Sequence, residues 1–359
     1  MDDVEPRIVE LFAKVIPGES WQYQRQYFPS KIGGFPAWLD PENLPSECNL
    51  SCIICGGVMS FVLQLYAPDD DEPSGSAFHR SLYLFACQPC GTQWRVFRCQ
   101  LPRKNRYYDF HPVPPGTIFP QPDPLVSKSC CPACCIPSSG DSEECQVLLS
   151  HSKVQDITDN AVWRALHPRC KIAVTHKTLE ATFPESLLEI CEGAIQEPDD
   201  YLSHERELYR KYQEKKAAGT VKDDDIDESE EQAIESIQRD RLAVDRSFER
   251  FCKRTTHNDV IYYCRDGQPI WTSDLTPRLQ CVMQVRSSST VSGVPLCELC
   301  GGPRAFEFQV LPQLLAHLKG TRLDFASVAV YTCADSCPLI DRYHEEFVYV
   351  EQDHSLSRN

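Results

Sequence analysis

The sequence lacks the features of a membrane-spanning or secreted chain. No apolar run approaches the roughly 18 consecutive residues that a bilayer-spanning helix needs. The first residues, MDDVEPRIVELF, show no basic segment and no cleavage signal, so we expect no secretory leader and no membrane partner. Positive charge is also scarce, since 36 Lys and Arg stand against 52 Asp and Glu and give a formal net charge of −16. This balance disfavours generic binding to a phosphate backbone, and we expect no direct sequence-specific contact with nucleic acid.

Sequence signatures of catalysis are missing as well. The chain contains no His-Glu-x-x-His, no P-loop, no Gly-x-Gly-x-x-Gly and no Gly-x-Ser-x-Gly. The one histidine considered for catalysis, His79, has no carboxylate or nucleophile paired with it, and we assign it a structural role. We therefore predict that the protein is not an enzyme.

Cysteine, in contrast, is abundant, with 20 residues in a chain of 359. Because no secretory leader is expected, the chain should fold in a reducing compartment, where clustered cysteines indicate metal binding rather than disulfides. Two Cys-x-x-Cys-type pairs together supply the four thiolates of a closed, structural zinc site without a catalytic water. We predict two such zinc sites, site 1 held by Cys52, Cys55, Cys87 and Cys90 and site 2 by Cys297, Cys300, Cys333 and Cys337.

A further cluster of cysteines lies between these two sets in the sequence. Its candidate zinc ligands combine three thiolates with an imidazole at a plausible spacing, and they are Cys131, Cys134, His167 and Cys170. Adjacent cysteines at positions 130 and 135 leave the ligand assignment open. A third zinc site and a loop of free cysteines are equal alternatives.

The two halves of the sequence repeat one pattern. Cys52-x-x-Cys55-Gly-Gly is followed by Phe61 and Gln64, and each of these residues has a counterpart of the same type 245 positions later, from Cys297 onward. Upstream, Gly-x-Pro-x-Trp occurs at 34–38 and again at 267–271. Several matches in the same order predict a duplicated module.

The local patterns predict mostly β structure within each module. Short apolar runs bounded by turn residues predict strands at 60–66, 81–85, 94–97, 305–310, 328–332 and 347–350. A short amphipathic helix is expected to begin at Pro312 and to stop at Gly320, and the run from Phe183 to Ile190 could be a strand or a short helix.

These patterns predict a β-rich α+β fold in which two duplicated zinc-stabilised β-modules are separated by an irregular and helical acidic insert. The first module is placed at 20–115, an irregular connecting region with the third cysteine cluster at 116–195, a charged helix and acidic disordered linker at 196–232, and the second module at 233–353. We expect the protein to be a monomer.

Several longer motifs resemble the programmed cell death protein 2 family. They are Ser-Lys-Ile-Gly-Gly-x-Pro-Ala-Trp-Leu at 30–39, Leu-Gln-Leu-Tyr-Ala-Pro at 63–68, Phe-His-Arg-x-Leu-Tyr at 78–83, Phe-Glu-Phe-Gln at 306–309 and Val-Tyr-Thr-Cys at 330–333. The resemblance covers about 30–110 and 245–352. One branch of the family carries a MYND zinc finger between the halves. Cys131, Cys134, His167 and Cys170 look like the ends of that finger, but its middle cysteine pairs are missing here.

The resemblance implies a dedicated, non-enzymatic chaperone for newly made small-subunit ribosomal protein S-two (the universal S-five homologue), acting in the cytoplasm and shuttling to the nucleus. Because such a client is highly basic, acidic segments are the candidate contacts. They are Asp69, Asp70, Asp71, Glu72, Asp223, Asp224, Asp225, Asp227, Glu228, Glu230 and Glu231. A merely solubilising role for these acids is an alternative. The alternative function is a zinc-ribbon adaptor that binds RNA or a preribosome during rRNA maturation.

Overall fold

The computed structural model describes residues 9–46, 48–56, 58–120, 123–126, 183–192, 246–273, 280–281, 293–339 and 343–352. The chain divides into two units. The larger comprises Met1–Glu192, His257–Pro269 and Arg278–Asn359, and the smaller Gly193–Thr256 and Ile270–Pro277. The third cysteine cluster, the acidic block at 223–231 and the charged helix expected before it lie outside the described residues. None of the helices in the described part of the chain is both long and apolar enough to cross a membrane.

Strands dominate the larger unit. They are β1 (Leu11–Ile16), β2 (Lys31–Ile32), β3 (Ser60–Tyr66), β4 (His79–Ala86), β5 (Trp94–Leu101), β6 (Ser186–Glu192), β7 (Asp259–Tyr263), β8 (Gln280–Cys281), β9 (Gly293–Val294), β10 (Arg304–Val310), β11 (Ser327–Cys333) and β12 (Tyr343–Glu351). Ten of them close a barrel in the order β1-β6-β2-β3-β4-β5-β12-β11-β10-β7, while β8 and β9 form a separate parallel pair. Each barrel strand is antiparallel to both neighbours. The prediction of a β-rich fold is confirmed.

Side chains on both faces of strand β4 are buried. In β4, Leu82 and Leu84 join a core cluster to which strands on all sides of the barrel contribute, so this cluster fills the barrel interior. Alternate residues of the same strand, Tyr83 and Phe85, point the other way into a second cluster built around Trp38. Because successive side chains of a strand face opposite sides, a strand that is covered on both sides reads as a continuous apolar run, as the last five residues of β4 (82–86) do.

All six predicted strands are present, and several extend further than their apolar runs. β5 continues to Leu101 and β12 begins at Tyr343, because polar residues in these extensions pair with other buried polar groups. The run from Phe183 onward contains strand β6 rather than a helix. The element that starts at Pro312 is a short 3₁₀ helix ending at Ala316, and Gly320 has a positive φ of 75°.

Strands from both halves of the chain form one barrel. β5 from the first half pairs with β12 from the second, with Tyr343 opposite Cys99. On the other side of the barrel, β1 and β6 lie between β7 and β2. β1 precedes the expected start of the first module, and β6 comes from the region expected to be irregular. Local periodicity reveals strands but not their partners across the chain, so the sequence could not indicate that the halves close on each other.

The two halves nevertheless run through the barrel in the same way. One contributes the row β2-β3-β4-β5 and the other the row β7-β10-β11-β12. The register shifts between Phe61 and Leu63 in β3 and between Phe306 and Phe308 in β10, which are corresponding positions. Since every neighbour is antiparallel, the β4–β5 connection and the β11–β12 connection lie at opposite ends of the barrel. Each of these two connections carries, in it or at its start, one pair of the predicted zinc ligands, Cys87 with Cys90 and Cys333 with Cys337.

Candidate metal centres

Site 1 forms at the end of the barrel where β4 leads into β5. Cys52 and Cys55 lie in the loop before β3, and Cys87 and Cys90 lie between β4 and β5. All four sulfur atoms are within 4.8 Å of one another, with Cys52 Sγ 3.8 Å from Cys90 Sγ and Cys55 Sγ 3.6 Å from Cys87 Sγ. A regular tetrahedron with metal–sulfur bonds of about 2.3 Å has edges of about 3.8 Å. The four thiols therefore fit one tetrahedral metal ion.

Site 2 has the same geometry at the opposite end of the barrel. Cys297 and Cys300 precede β10, while Cys333 ends β11 and Cys337 follows it. The Sγ atoms of Cys297 and Cys337 are 3.7 Å apart and those of Cys300 and Cys333 are 3.6 Å apart, with all four within 4.8 Å. These separations are far longer than the roughly 2.05 Å of a disulfide bond. The structure thus brings together both predicted four-cysteine sets.

Glycines allow the cysteine-bearing turns to close tightly. Gly56 and Gly301, each directly after a Cys-x-x-Cys, have φ values of 67° and 72°. Each donates its N–H to the carbonyl of the first cysteine of its pair, at 2.8 Å from Cys52 O and Cys297 O respectively. A residue with a Cβ is strained at such φ values, so glycine is needed at these two positions. The second glycine of the later pair, Gly302, has no positive φ.

The same turns aim backbone N–H groups at one sulfur of each site. Burial alone would raise the pKa of the Cys52 thiol, but hydrogen bonds from the N–H groups of Cys55 and Ile54 outweigh it and lower that pKa to about 7. At Cys297, hydrogen bonds from Cys300 and Leu299 likewise outweigh burial and lower the pKa. Because metals bind the thiolate form, these N–H groups favour the ligating state at equivalent positions of both sites.

Arg98, on β5 of the first half, supports site 2 of the second half. Its guanidinium donates to the carbonyl of Cys337 at 3.0 Å and lies 3.7 Å from the Sγ of that cysteine. The side chain of Arg98 is fully buried, and its Nε donates to Glu346 at 2.7 Å. A metal held by four thiolates carries net negative charge, which a buried guanidinium stabilises.

We expect Arg98→Met to weaken metal binding at site 2 by about 10–100-fold, as is usual when a partner of a metal ligand is removed. The substitution keeps an apolar stem of similar length and leaves Glu346 paired with Arg304. Chelator competition, followed through the spectrum of the cobalt-substituted protein, measures this affinity. Site 1 in the same molecule is the internal reference, and Arg98→Lys should recover part of the loss. Equal release of metal from both sites in Arg98→Met would contradict this role.

The predicted client contacts at 69–72 divide into two kinds. Asp70 and Asp71 are exposed. Asp69 instead forms an ion pair with Arg265 at 2.7 Å. Glu72 accepts hydrogen bonds from the N–H groups of Ser74 and Ser76, and these bonds outweigh partial burial to lower the pKa of Glu72 to about 2. Asp69 and Glu72 therefore shape the loop between β3 and β4, and the other two remain available to a partner.

Sequence reasoning missed two ionic groups inside the barrel. Arg80 of β4 and Glu307 of β10 form a bidentate ion pair, and both side chains are fully buried. Glu346 of β12 pairs with Arg98 and Arg304 at 2.7 Å each. The available signal was a charged residue inside an otherwise apolar strand, since Lys, Arg and Glu are almost never fully buried without a partner. Both groups join the two halves of the chain.

The Lys-Ile-Gly-Gly motif and His79 also have structural roles. Lys31 is buried and ion-paired with Glu185. A Cβ on Gly33 would lie 2.3 Å from the carbonyl oxygen of Pro184, which explains the glycine there. His79 stacks on Phe28 with 4.5 Å between ring centroids, and burial lowers the pKa of His79 to about 4. The ring is thus held in a buried aromatic cluster.

The fold and its sites define a closed antiparallel β-barrel protein with two groups of four cysteines, each of which could hold a metal ion. Residues 12–115 match the family model of the N-terminal domain of programmed cell death protein 2, and residues 245–352 match the model of its C-terminal putative domain. Programmed cell death protein 2 of Bos taurus is 33% identical over 356 residues, which are 92% of this chain and 92% of the relative. The chain therefore belongs to the programmed cell death protein 2 family, and the resemblance of its motifs is confirmed.

Two other relatives extend the comparison. Programmed cell death protein 2-like of Mus musculus is 28% identical over 367 residues, with 90% of each chain covered. A Schizosaccharomyces pombe protein named "Probable 20S rRNA accumulation protein 4" is 30% identical over 134 residues, 35% of this chain and 34% of the relative. No solved structure matches the chain.

Proposed function

We propose that this protein acts in ribosome biogenesis as a non-enzymatic escort for a basic small-subunit ribosomal protein, the S-two (universal S-five) homologue. The observation that carries the proposal is membership of the family together with a relative whose name refers to accumulation of 20S rRNA. Accumulation of an rRNA species is the expected consequence when a protein needed for subunit assembly is not delivered.

Charge supports a basic client. A protein with a net charge of −16 repels nucleic acid at long range and attracts a basic chain, and such attraction raises the rate of encounter. The exposed carboxylates of Asp70 and Asp71 fit this role in the described part of the chain. The acidic residues between 223 and 231 remain part of the proposal by their sequence alone.

The metal at both centres is proposed to be zinc. A set of four thiolates with tetrahedral edges suits zinc, which has no redox chemistry and commonly braces small β-folds. Cys131, Cys134, His167 and Cys170 stay candidate ligands of a third ion. We further propose that the matching strand rows, bulges and centres of the two halves arose by duplication. The protein is proposed to work as a monomer in the cytoplasm and to shuttle to the nucleus.

An RNA- or preribosome-binding adaptor is the second candidate function. The observation that favours it is an exposed basic and aromatic segment after β5. Arg103 and Lys104 are exposed, and the Arg103 guanidinium lies 4.0 Å from the ring centroid of Phe110, which is 62% exposed. Basic side chains interleaved with aromatic rings are typical of surfaces that bind single-stranded nucleic acid.

A nuclease-treated pull-down separates the two candidates. We expect the full-length protein, captured from translating cells, to retain the S-two homologue after RNA is digested, because an escort holds the protein directly. Quantitative mass spectrometry should show this ribosomal protein enriched above all others. Loss of the ribosomal protein after nuclease, or equal recovery of many ribosomal proteins, would contradict the escort function.

Charge-reversal variants provide the matched control for this pull-down. Asp70→Lys combined with Asp71→Lys should reduce recovery of the client, whereas Arg103→Glu combined with Lys104→Glu should leave it unchanged. The reverse ranking, with recovery lost in the Arg103 and Lys104 variant, would support the adaptor. All four residues are exposed, so neither double variant should disturb the fold.

A further inference from the structure

A cavity opens at the end of the barrel where β1 begins and where β3 and β7 end. Its volume is about 220 Å³, and its lining includes Leu11, Ala13, Leu65, Ala67, Ile190 and Tyr263. Sites for small-molecule ligands typically have roughly 300–1,000 Å³, so this cavity is small for a cofactor. It has the size to take a single large apolar side chain.

The cavity is not a gap in the fold but a built recess. Two of the lining residues, Tyr263 and Ala67, are held in place by hydrogen bonds to the buried Arg80–Glu307 ion pair. Tyr263 donates its hydroxyl to Glu307 at 3.2 Å, and Arg80 donates to the carbonyl oxygen of Ala67 at 3.2 Å. At the mouth the lining is partly open to solvent, since Ile190 is 43% exposed. Exposed apolar residues beside a recess are typical of an interaction site.

Carboxylates flank the mouth of this cavity. Glu192 is the Cα partner of the lining residue Leu11 across the sheet, and Asp70 lies two residues after the lining residue Pro68. Both are exposed. Arg265, two residues after the lining residue Tyr263, is ion-paired with Asp69 at 2.7 Å. The opening therefore combines an apolar recess with a negatively charged rim.

We infer that this cavity binds one apolar side chain of an extended, basic segment of a protein partner. The apolar side chain fills the recess, and Lys or Arg residues on either side of it meet the carboxylates of Asp70 and Glu192. The inference rests on the proposed function for the identity of the partner and adds to it the binding site and the pattern that the site recognises. Burial of the apolar side chain supplies affinity, and the charged rim supplies selection for basic flanks.

The test uses the full-length protein and a short fluorescent peptide in which Lys and Arg surround one central Phe. Replacement of that Phe by Gly should weaken binding by about tenfold or more, since burying a Phe side chain is worth roughly that factor. Replacement of the basic flanks by Asp and Glu should abolish binding. Fluorescence anisotropy measures both. Equal affinity of the Phe and Gly peptides, or no binding of the Phe peptide, would overturn the inference.

Variants of the protein provide the matched controls. Ala67→Leu fills the recess and should weaken binding of the Phe peptide by about tenfold. Ala67→Gly leaves the recess open and should retain this binding. Asp70→Lys with Glu192→Lys should weaken binding most at low salt, because exposed charges are screened. Asp324→Lys, an exposed acid on a different connection, should have no effect. Thermal unfolding verifies that each variant is folded, and unchanged binding to folded Ala67→Leu would refute the site.

Two further measurements distinguish failure of this inference from failure of the proposed function. If the S-two homologue binds Ala67→Leu as tightly as it binds the parent protein, the escort function stands and the site is wrong. If the parent binds the peptide but not the ribosomal protein, the site stands and the proposed client is wrong. Sedimentation at the same concentrations tests a second copy of this chain as the occupant, and a dimer that Ala67→Leu abolishes would refute a peptide-binding role.

Discussion

Replacing Glu307 by Gln is expected to destabilise the protein by about 3–5 kcal/mol, the usual cost of removing one partner from a buried ion pair. Glu307 and Arg80 are both fully buried, and two parallel hydrogen bonds join the guanidinium to the carboxylate in a bidentate pair. The Arg80 guanidinium cannot lose its proton, so the substitution leaves a positive charge in the barrel interior without its counter-ion. Gln keeps the volume, and its amide oxygen can still accept hydrogen bonds, but its NH₂ group faces donors that bonded to the second carboxylate oxygen, which adds to the loss.

Denaturant unfolding at a fixed free zinc concentration measures this effect. The double variant Arg80→Met with Glu307→Leu should recover much of the lost stability, because apolar residues of similar size can replace a buried pair. Glu42→Gln, which removes one partner of the exposed Arg106–Glu42 pair, serves as the control and should change stability little. An unfolding midpoint for Glu307→Gln equal to that of Glu42→Gln would show that the buried pair does not hold the halves together.

The Arg80–Glu307 pair also shows where sequence reasoning ends. The apolar runs of β3, β4, β10 and β11 predicted strands because alternating and fully buried strands have recognisable patterns. The pairing of β5 with β12 depends on contacts between residues in different halves of the chain, and no local pattern encodes it. The sequence shows charged residues within the strands, but their partners can be identified only from the structure of the closed barrel.

The candidate metal centres were more predictable than the fold. Cysteine spacing predicted both sets of four because a tetrahedral site needs four thiolates, and the chain offers them in pairs on turns that glycine closes. The contribution of Arg98 to site 2 was not predictable, because it comes from the other half of the chain. The apolar recess beside Ala67 was equally hidden, since its lining comes from β1, β3, β6 and β7.

Removing one metal ligand should have the largest effect of all. Cys300→Ser leaves three thiolates at site 2, and Cys55→Ser leaves three at site 1. Because metal binding and folding are coupled, and structural zinc contributes about 10–16 kcal/mol to small zinc-binding folds, we expect the affected end of the barrel to unfold. Hydrogen exchange should show lost protection in β10 and β11 for Cys300→Ser and in β3 and β4 for Cys55→Ser.

Cys48→Ser is the matched control for these ligand variants. Cys48 lies in the same loop as site 1 but is exposed and outside both sets of four, so its removal should leave hydrogen exchange unchanged. Normal protection of both barrel ends in Cys55→Ser and Cys300→Ser would contradict the bracing role of the metals.

Native mass spectrometry of the full-length protein tests the central claim, that two metal centres brace a single barrel, most directly. The parent protein should carry at least two zinc ions, and Cys55→Ser and Cys300→Ser should each carry one fewer. Substituting both Cys131 and Cys134 by Ser tells whether any additional ion belongs to the third cluster. A parent protein with fewer than one zinc ion per chain, or ligand variants that keep the full complement, would contradict the account.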